Sequence, residues 1–291
     1  MFHTTTAGLQ TVGGWQTQSA PPPPLPPGAC VDVVSWNVDF MAPHAAARMR
    51  AALAHLAAAL PPRPQRTVVL LQEVLPASLR ALLRSAWVRA HFQASDGPAL
   101  ALDYFTLTLA TRDLPVRCVR REAFAHTAMR RDVLLADVAL AGGAVLRVAN
   151  THLESLPAPG AWLRPRQMAR CAGLLRERGV RAGVLAGDMN AIAEADEATP
   201  EEVALADVWG LDAGAGANAR DGHTWGYQPK CRFPPGRLDK VLYTGNLEWE
   251  PVDGDRMLKR VGVGLRFEEE DGEISGWVSD HYGLWARARL D

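Results

Sequence analysis

The chain has 291 residues, 48% hydrophobic and 22% charged, enough to bury one large core or two small ones. Its 31 Lys and Arg stand against 32 Asp and Glu, a formal net charge of −1. That balance speaks against a protein that coats nucleic acid non-specifically, a mode that depends on many cation–phosphate contacts, while leaving room for a local basic groove.

Residues 1–29 hold no Asp, Glu, Lys or Arg and finish in Pro21-Pro22-Pro23-Pro24-Leu25-Pro26-Pro27-Gly28. A proline run favours extended polyproline II and forms no packed core. The expectation is a flexible tail over 1–29, ahead of a single catalytic domain over 30–291. A proline-binding domain is the partner class that such a tail could serve. Residues 31–37 then alternate as a strand, and 45–60 read as a helix of alanines with arginines spaced along it. Residues 67–74 (Thr-Val-Val-Leu-Leu-Gln-Glu-Val) form a core strand ending in an acid. Residues 76–92 read as a helix, with Pro76 in the first turn, where a missing N–H is tolerated.

Three or four strands are expected between 104 and 148, among them 105–110, 132–140 and 145–148, with Gly142-Gly143 marking a hairpin. Pro165 reads as the opening of a helix that carries Met168, Cys171, Leu174 and Leu175 on one face. The run at 182–186 is apolar throughout, as in a strand covered on both faces. Thr199-Pro200-Glu201-Glu202 resembles a helix start. Residues 212–236, rich in Gly, Pro and Asn, read as a long functional loop. Strands at 238–243 and 283–288 close the chain. This order fits a single α/β domain with a mixed sheet or two packed sheets.

The four cysteines, Cys30, Cys118, Cys171 and Cys231, form no Cys-x-x-Cys pair, which suits reduced thiols in an intracellular protein. No apolar run reaches the roughly 18 residues of a membrane span, and the N-terminus lacks a secretory pattern. A soluble protein of the nucleus or cytoplasm, without a membrane partner, is expected.

Polar residues collect where the strands end. Asn37 and Asp39 follow the first, Glu73 ends the second and His152 closes a middle one. Asp188 and Asn190 follow Gly187; then come Asp239 and the run Ser279-Asp280-His281. Singly, each reads equally well as a turn residue, an ion pair or a backbone-satisfied histidine. Together they mark a site, because active sites gather at strand ends of layered α/β folds. Carboxylates and amides without cysteine are hard oxygen donors, suited to Mg²⁺ or Mn²⁺. A divalent ion, a general base and imidazoles facing an anionic oxygen are what phosphate-ester hydrolysis needs.

Six motifs, Trp36-Asn37, Gln72-Glu73, Thr151-His152-Leu153, Gly187-Asp188-Met189-Asn190, Leu238-Asp239 and Ser279-Asp280-His281, together resemble the endonuclease/exonuclease/phosphatase superfamily. That resemblance spans residues 31–290 and implies an α/β fold, a two-layer sandwich of mixed sheets flanked by helices. Within the superfamily the chain is most similar to the tyrosyl-DNA phosphodiesterase 2 group. The likeness lies in Tyr104-Phe105-Thr106, Met129-Arg130, Thr151-His152-Leu153-Glu154-Ser155, His223-Thr224-Trp225 and Ser279-Asp280-His281-Tyr282-Gly283-Leu284. The Trp36-Asn37-Val38-Asp39 element is shared with abasic-site endonucleases.

The resemblance implies roles. Glu73 would be the main Mg²⁺ ligand, with Asn37 and Asp39 ordering its waters and the phosphate and Asp280 completing the metal's outer shell. Asp188 would orient or deprotonate the attacking water, assisted by Asn190. His281, backed by Asp239, would donate to a phosphate oxygen, and His152 and Ser155 would hold the phosphate from the other side. Tyr104 and Trp225 would stack on a DNA end or on the leaving group. The implied reaction is Mg²⁺-dependent hydrolysis of 5′-phosphotyrosyl-DNA, with DNA ends carrying a tyrosine or peptide as partners. An abasic-site or general DNA endonuclease, a phosphatase, and a non-catalytic DNA-end-binding domain are the alternatives. The chain departs from the family at Ala191-Ile192, where relatives carry Leu-Arg, and at Leu238, where they carry Phe.

Overall fold

Residues 21–97, 102–214, 218–268 and 274–291 are described in this computed structural model. The chain begins with β1 (Cys30–Asn37), α1 (Ala45–Ala59), β2 (Thr67–Val74), α2 (Pro76–Arg84), α3 (Ala86–His91), β3 (Phe92–Ala94) and β4 (Phe105–Thr111). A meander of β5 (Val116–Ala123), β6 (Asp132–Ala139) and β7 (Val145–His152) leads into α4 (Gly160–Leu175), β8 (Val180–Asp188), α5 (Glu194–Glu202) and β9 (Ala206–Asp207). The last third holds α6 (Trp209–Gly214), α7 (Ala219–Gly222), β10 (Asp239–Gly245), β11 (Leu247–Glu250), β12 (Leu258–Val261), β13 (Arg266–Glu268), β14 (Ile274–Trp277) and β15 (Gly283–Leu290).

One sheet runs β11-β15-β1-β2-β4-β3, with β12 also on β15, and the other runs β5-β6-β7-β8-β10-β9. Each has one parallel pair, β1 with β2 and β7 with β8, so both sheets are mixed. Side-chain alternation along a strand explains why the sheets are apolar on both faces. Val31, Val33, Val68 and Leu70 point inward to meet Val148, Val184, Ala186 and Val241 of the facing sheet. The alternate residues Val34, Trp36, Val69 and Leu71 pack outward on α1 and α2 through Met49, Leu53 and Leu82. On the far side Leu185 and Leu242 meet Met168, Cys171 and Leu175 of α4. No helix among the described residues is long and apolar enough to cross a membrane, and all four cysteines are free thiols.

The two-sheet α/β fold expected from the sequence is the fold found, with local corrections. The helix expected over 76–92 breaks at Ser85, whose hydroxyl accepts from Val88 N at 3.4 Å and starts α3; Phe92 already belongs to β3. Pro165 lies inside α4, which opens at Gly160. Thr199 and Pro200 lie near the end of α5, not at its start; Asp196 accepts from Ala193 N at 2.9 Å where the helix begins. The segment 212–236 contains parts of α6, all of α7 and a bridge between Trp225 and Gly236. Strands β11 to β14 are too short to show a hydrophobic period, and nothing in the sequence singled them out.

The boundary at residue 30 also moves. Residues 1–20 lie outside the described residues, but Leu25 is only 4% exposed. Its N–H donates to Ala139 O at 2.9 Å and its carbonyl accepts from Ala141 N at 2.8 Å. Prolines have no N–H, so Leu25 carries the single donor of residues 21–27, and that donor is used to dock the run on the β6–β7 hairpin. Leu25→Ala should therefore lower unfolding free energy by about 2 kcal/mol, the low end for a buried leucine. Urea denaturation of the full chain measures this; an unchanged midpoint would mean that the segment is not docked.

Candidate active site

Three neighbouring strands of one sheet end side by side. His152 at the end of β7 is in register with Asp188 at the end of β8, and Asp188 is in register with Asp239 at the start of β10. Gly187 makes the first of these approaches possible. Its φ is +149°, and a Cβ there would lie 1.9 Å from the carbonyl oxygen of Thr151, so only glycine fits. The other sheet contributes Asn37, paired with Gln72 across β1 and β2, then Glu73, and His281 just ahead of β15.

These ends converge on one hydrogen-bonded cluster. Asn37 Nδ2 donates to Glu73 Oε1 at 3.1 Å and to Asp188 Oδ2 at 3.0 Å. Phe40 N donates to Glu73 Oε2 at 2.7 Å. Asn190 N donates to Asp188 Oδ1 at 2.8 Å, while Asn190 Nδ2 is anchored on Leu153 O at 3.0 Å. Burial pushes the Glu73 carboxyl above its ordinary pKa, against the pull of Phe40 N–H and Asn37. Burial likewise pushes Asp188 up to about 7; the charge of His281 opposes the rise, and Asp239 and Glu73 add to it.

The two histidines on either side of Asp188 are in opposite states. His152 Nδ1 lies 2.8 Å from Arg131 Nη1. A guanidinium can only donate, so Nδ1 accepts and the ring proton sits on Nε2. Burial, then the Arg131 charge, holds the His152 pKa well below its ordinary value. His152 is thus a neutral donor, its Nε2 lying 3.4 Å from Asp188 Oδ2 and 3.7 Å from Glu73 Oε1. For His281, burial also favours the neutral ring, but the carboxylates of Asp239, Asp188 and Asp280 outweigh it and raise the pKa well above the ordinary value. Its Nδ1 meets Asp239 Oδ2 at 2.7 Å, and its Nε2 lies 3.8 Å from Asp188 Oδ2. Asp188 therefore sits between a neutral imidazole and an imidazolium.

Glu73, His152 and Asp188 each present an atom within 4.8 Å of the others, as do Asp188, Asp239 and His281. Both imidazoles carry a proton on Nε2 in these states, so the oxygens of Glu73 and Asp188 are the donors suited to a cation. The half-buried Glu73 and buried Asp188 carboxylates, both with raised pKa values, form a donor set that a hard divalent ion fits. The expected ligands Asp39 and Asp280 stand outside both groups. Asp39 closes a turn by accepting from Met41 N and Ala42 N at 2.8 and 3.2 Å. Asp280 accepts from Trp225 Nε1 at 3.0 Å. Asp280 still raises the Glu73 and Asp39 pKa values from the rim.

The substrate candidates divide in the same way. Tyr104 stacks on Phe40, with ring centroids 4.2 Å apart, and Arg131 lies 5.5 Å from its centroid. It lines a cleft with Met129, Arg130, Glu73 and His152. Trp225 is half-buried beside the exposed Phe233. Ser155 is half-buried, and its hydroxyl makes no hydrogen bond among the described residues. Ile192, 43% exposed, offers solvent an apolar side chain and no charge.

Three supports escaped the sequence reading. Arg48, 2% exposed, donates to Val38 O, Asp39 O, Ala42 O, Pro43 O and Val278 O at 2.6 to 2.9 Å. It thereby ties the loop that carries Phe40 to the segment that carries His281. Arg131 fixes His152, and the Thr224 hydroxyl accepts from Leu238 N and Asp239 N, both at 3.1 Å. In the sequence Arg48 is one arginine among alanines, Arg131 directly follows Met129-Arg130, and Thr224, between His223 and Trp225, carries no local sign of its hold on Asp239.

A family model described as the Endonuclease/Exonuclease/phosphatase family matches residues 34–281. No curated protein matches the chain. Among solved structures, a D. rerio TDP2 humanized by 14 mutations is 21% identical with a TM-score of 0.68, over 90% of this chain and 99% of that one. TDP2 from C. elegans is also 21% identical, with a TM-score of 0.68 over 91% and 76% of the two chains. D. rerio TDP2 complexed with single strand DNA product is 22% identical, with a TM-score of 0.67 over 90% and 100%. The two-sheet architecture is common to them.

The opposite states of the two rings can be observed directly. In ¹⁵N spectra of the free protein, His152 should stay neutral with its proton on Nε2 as pH falls from about 7.5 to 6. His281 should stay doubly protonated as pH rises to about 8. Two rings titrating together near the ordinary value of about 6.5 would contradict the geometry.

Proposed function

Since the chain belongs to the endonuclease/exonuclease/phosphatase family, we propose that it is a Mg²⁺-dependent phosphodiesterase that hydrolyses 5′-phosphotyrosyl bonds at DNA ends and leaves a 5′-phosphate. The observation that carries this reading is the Asp188 carboxylate held between neutral His152 and cationic His281, at 3.4 and 3.8 Å. Asn37 and the Asn190 N–H fix the two Asp188 oxygens, so the carboxylate takes a proton from the attacking water without reorienting. His281 Nε2–H, kept charged by Asp239, stabilises a phosphate oxygen as negative charge builds, and the His152 Nε2–H does so from the opposite side. The phosphorus–oxygen bond to the tyrosyl group breaks as the water oxygen bonds to phosphorus.

Glu73 would hold the metal, assisted by Asp188, with Asp280 near enough to add charge at the rim. When bound, a divalent ion supplies polarisation of the phosphate oxygens. The Phe40–Tyr104 pair with Arg131 at the cleft wall supports an aromatic leaving group, and the single-strand DNA product held by the D. rerio relative supports a DNA end. Ile192 stands where relatives carry an arginine and offers no charge to a phosphate.

Matched oligonucleotides carrying a 5′-phosphotyrosine or an internal abasic site, with Mg²⁺ or EDTA, test the substrate. Release of tyrosine that EDTA abolishes is expected; cleavage of the abasic strand alone would point to the endonuclease reading. No cleavage of any phosphoester would leave a DNA-end-binding domain. Asp188→Asn should reduce turnover by about 10²–10⁴-fold, the usual contribution of a positioned base. A folded Asp188→Asn protein with a near-normal rate would assign the base elsewhere.

A further inference from the structure

One charged group beside the cleft takes no part in the chemistry above. Glu154, two residues beyond His152, is only 1% exposed, and its carboxylate is held by neutral donors. Thr127 Oγ1 donates at 2.8 Å, Ala128 N at 3.1 Å and Gln167 Nε2 at 3.1 Å. Gln167 Oε1 in turn accepts from Glu154 N at 2.9 Å, and Gln167 Nε2 also reaches His126 O at 3.0 Å. Among the described residues no cation pairs with this carboxylate, and burying an unpaired carboxylate is costly.

A carboxylate only accepts, so the Thr127 hydroxyl gives its single proton to Glu154. The lone pairs of Thr127 Oγ1 then face the chain, where they accept from Met129 N at 3.2 Å and Arg131 N at 2.8 Å. That closes the turn over 127–131. Arg131, 6% exposed, leaves the turn with Nη1 on His152 Nδ1 at 2.8 Å and Nη2 on Met129 Sδ at 3.5 Å. Because each link can be made in one sense only, the proton on His152 has one place to go.

We propose that Glu154 is a positioning residue. Through the Thr127 hydroxyl it sets the 127–131 turn, so that Arg131 reaches His152 Nδ1 and the Nε2–H of that ring is held toward Asp188 and the phosphate. The kinetic consequence rests on the phosphodiesterase reading; the state of the ring does not.

Glu154→Gln and Thr127→Val, each alone and combined with Arg131→Met, separate this role from a merely structural one. On a 5′-phosphotyrosyl oligonucleotide, each single variant should lose about tenfold to a hundredfold in kcat, as for partners that orient a functional group from behind. KM should hold. In the Arg131→Met background the second substitution should add no further loss, since residues acting through one another are non-additive. In the free proteins, the His152 ring signal should change from a single Nε2–H tautomer to a mixture. Losses that multiply in the Arg131→Met background, or a single His152 tautomer retained in both folded variants, would overturn the proposal. Should the wild-type chain turn over no phosphoester, the ring signal alone decides the role of Glu154, and the hydrolase reading is what fails.

Discussion

Negative charge concentrated in a dry place is the constraint on which this structure turns. Glu73, Asp188 and Asp239 come together where two sheets end, and the last two are almost wholly buried. Carboxylates removed from water demand compensation, and nearly every polar residue around them supplies part of it. The Asn37 amide bridges Glu73 and Asp188, backbone N–H groups of Phe40 and Asn190 meet one oxygen each, and His281 carries the positive charge. What remains uncompensated shows as the raised pKa values of Glu73 and Asp188, a demand that a divalent cation and the polarised groups of a substrate can meet.

The sandwich makes such a concentration possible. Its core is largely apolar, with one buried polar link between the sheets through Gln72 and Asn150, so the strand ends are fixed with a precision that loops alone would not give. Register puts His152, Asp188 and Asp239 in a row, and Gly187 removes the one side chain that would force β7 and β8 apart. Segments without regular structure are then fastened by single buried side chains. Arg48 holds two loops at once by donating to five carbonyls, and Thr224 holds the start of β10. Local polarity spent in this way does little for stability, but it leaves one arrangement of the site instead of several.

How far the sequence discloses this depends on how local each cause is. Strands β2 and β8 read well because burial on both faces writes an apolar run that stops at a polar residue, while β1, β7, β10 and β15 show as alternating or shorter apolar stretches beside one. For that reason Asn37, Glu73, His152, Asp188, Asn190, Asp239 and His281 could be named in advance and do converge. Arg48 could not: its partner Val278 lies 230 residues away, and nothing near Arg48 in the chain hints at it. Pro165 and Pro200 read as helix starts under local rules, whereas the helices that contain them are set by packing against β8 and by the Arg164–Asp196 pair between α4 and α5. Leu25 was hidden because one apolar residue among prolines has no period. Asp39 and Asp280 mark another limit, since both stand beside the right motifs yet outside the two groups of side chains close enough together to share a metal.

The central claim is that Asp188 and its two histidines direct a water at phosphorus. Hydrolysis of a 5′-phosphotyrosyl oligonucleotide in ¹⁸O-labelled water tests it most directly, with both products weighed by mass spectrometry. The geometry predicts one ¹⁸O atom on the DNA 5′-phosphate and none on the released tyrosine. Label on the tyrosine hydroxyl, or a 5′-phosphate without label, would contradict it.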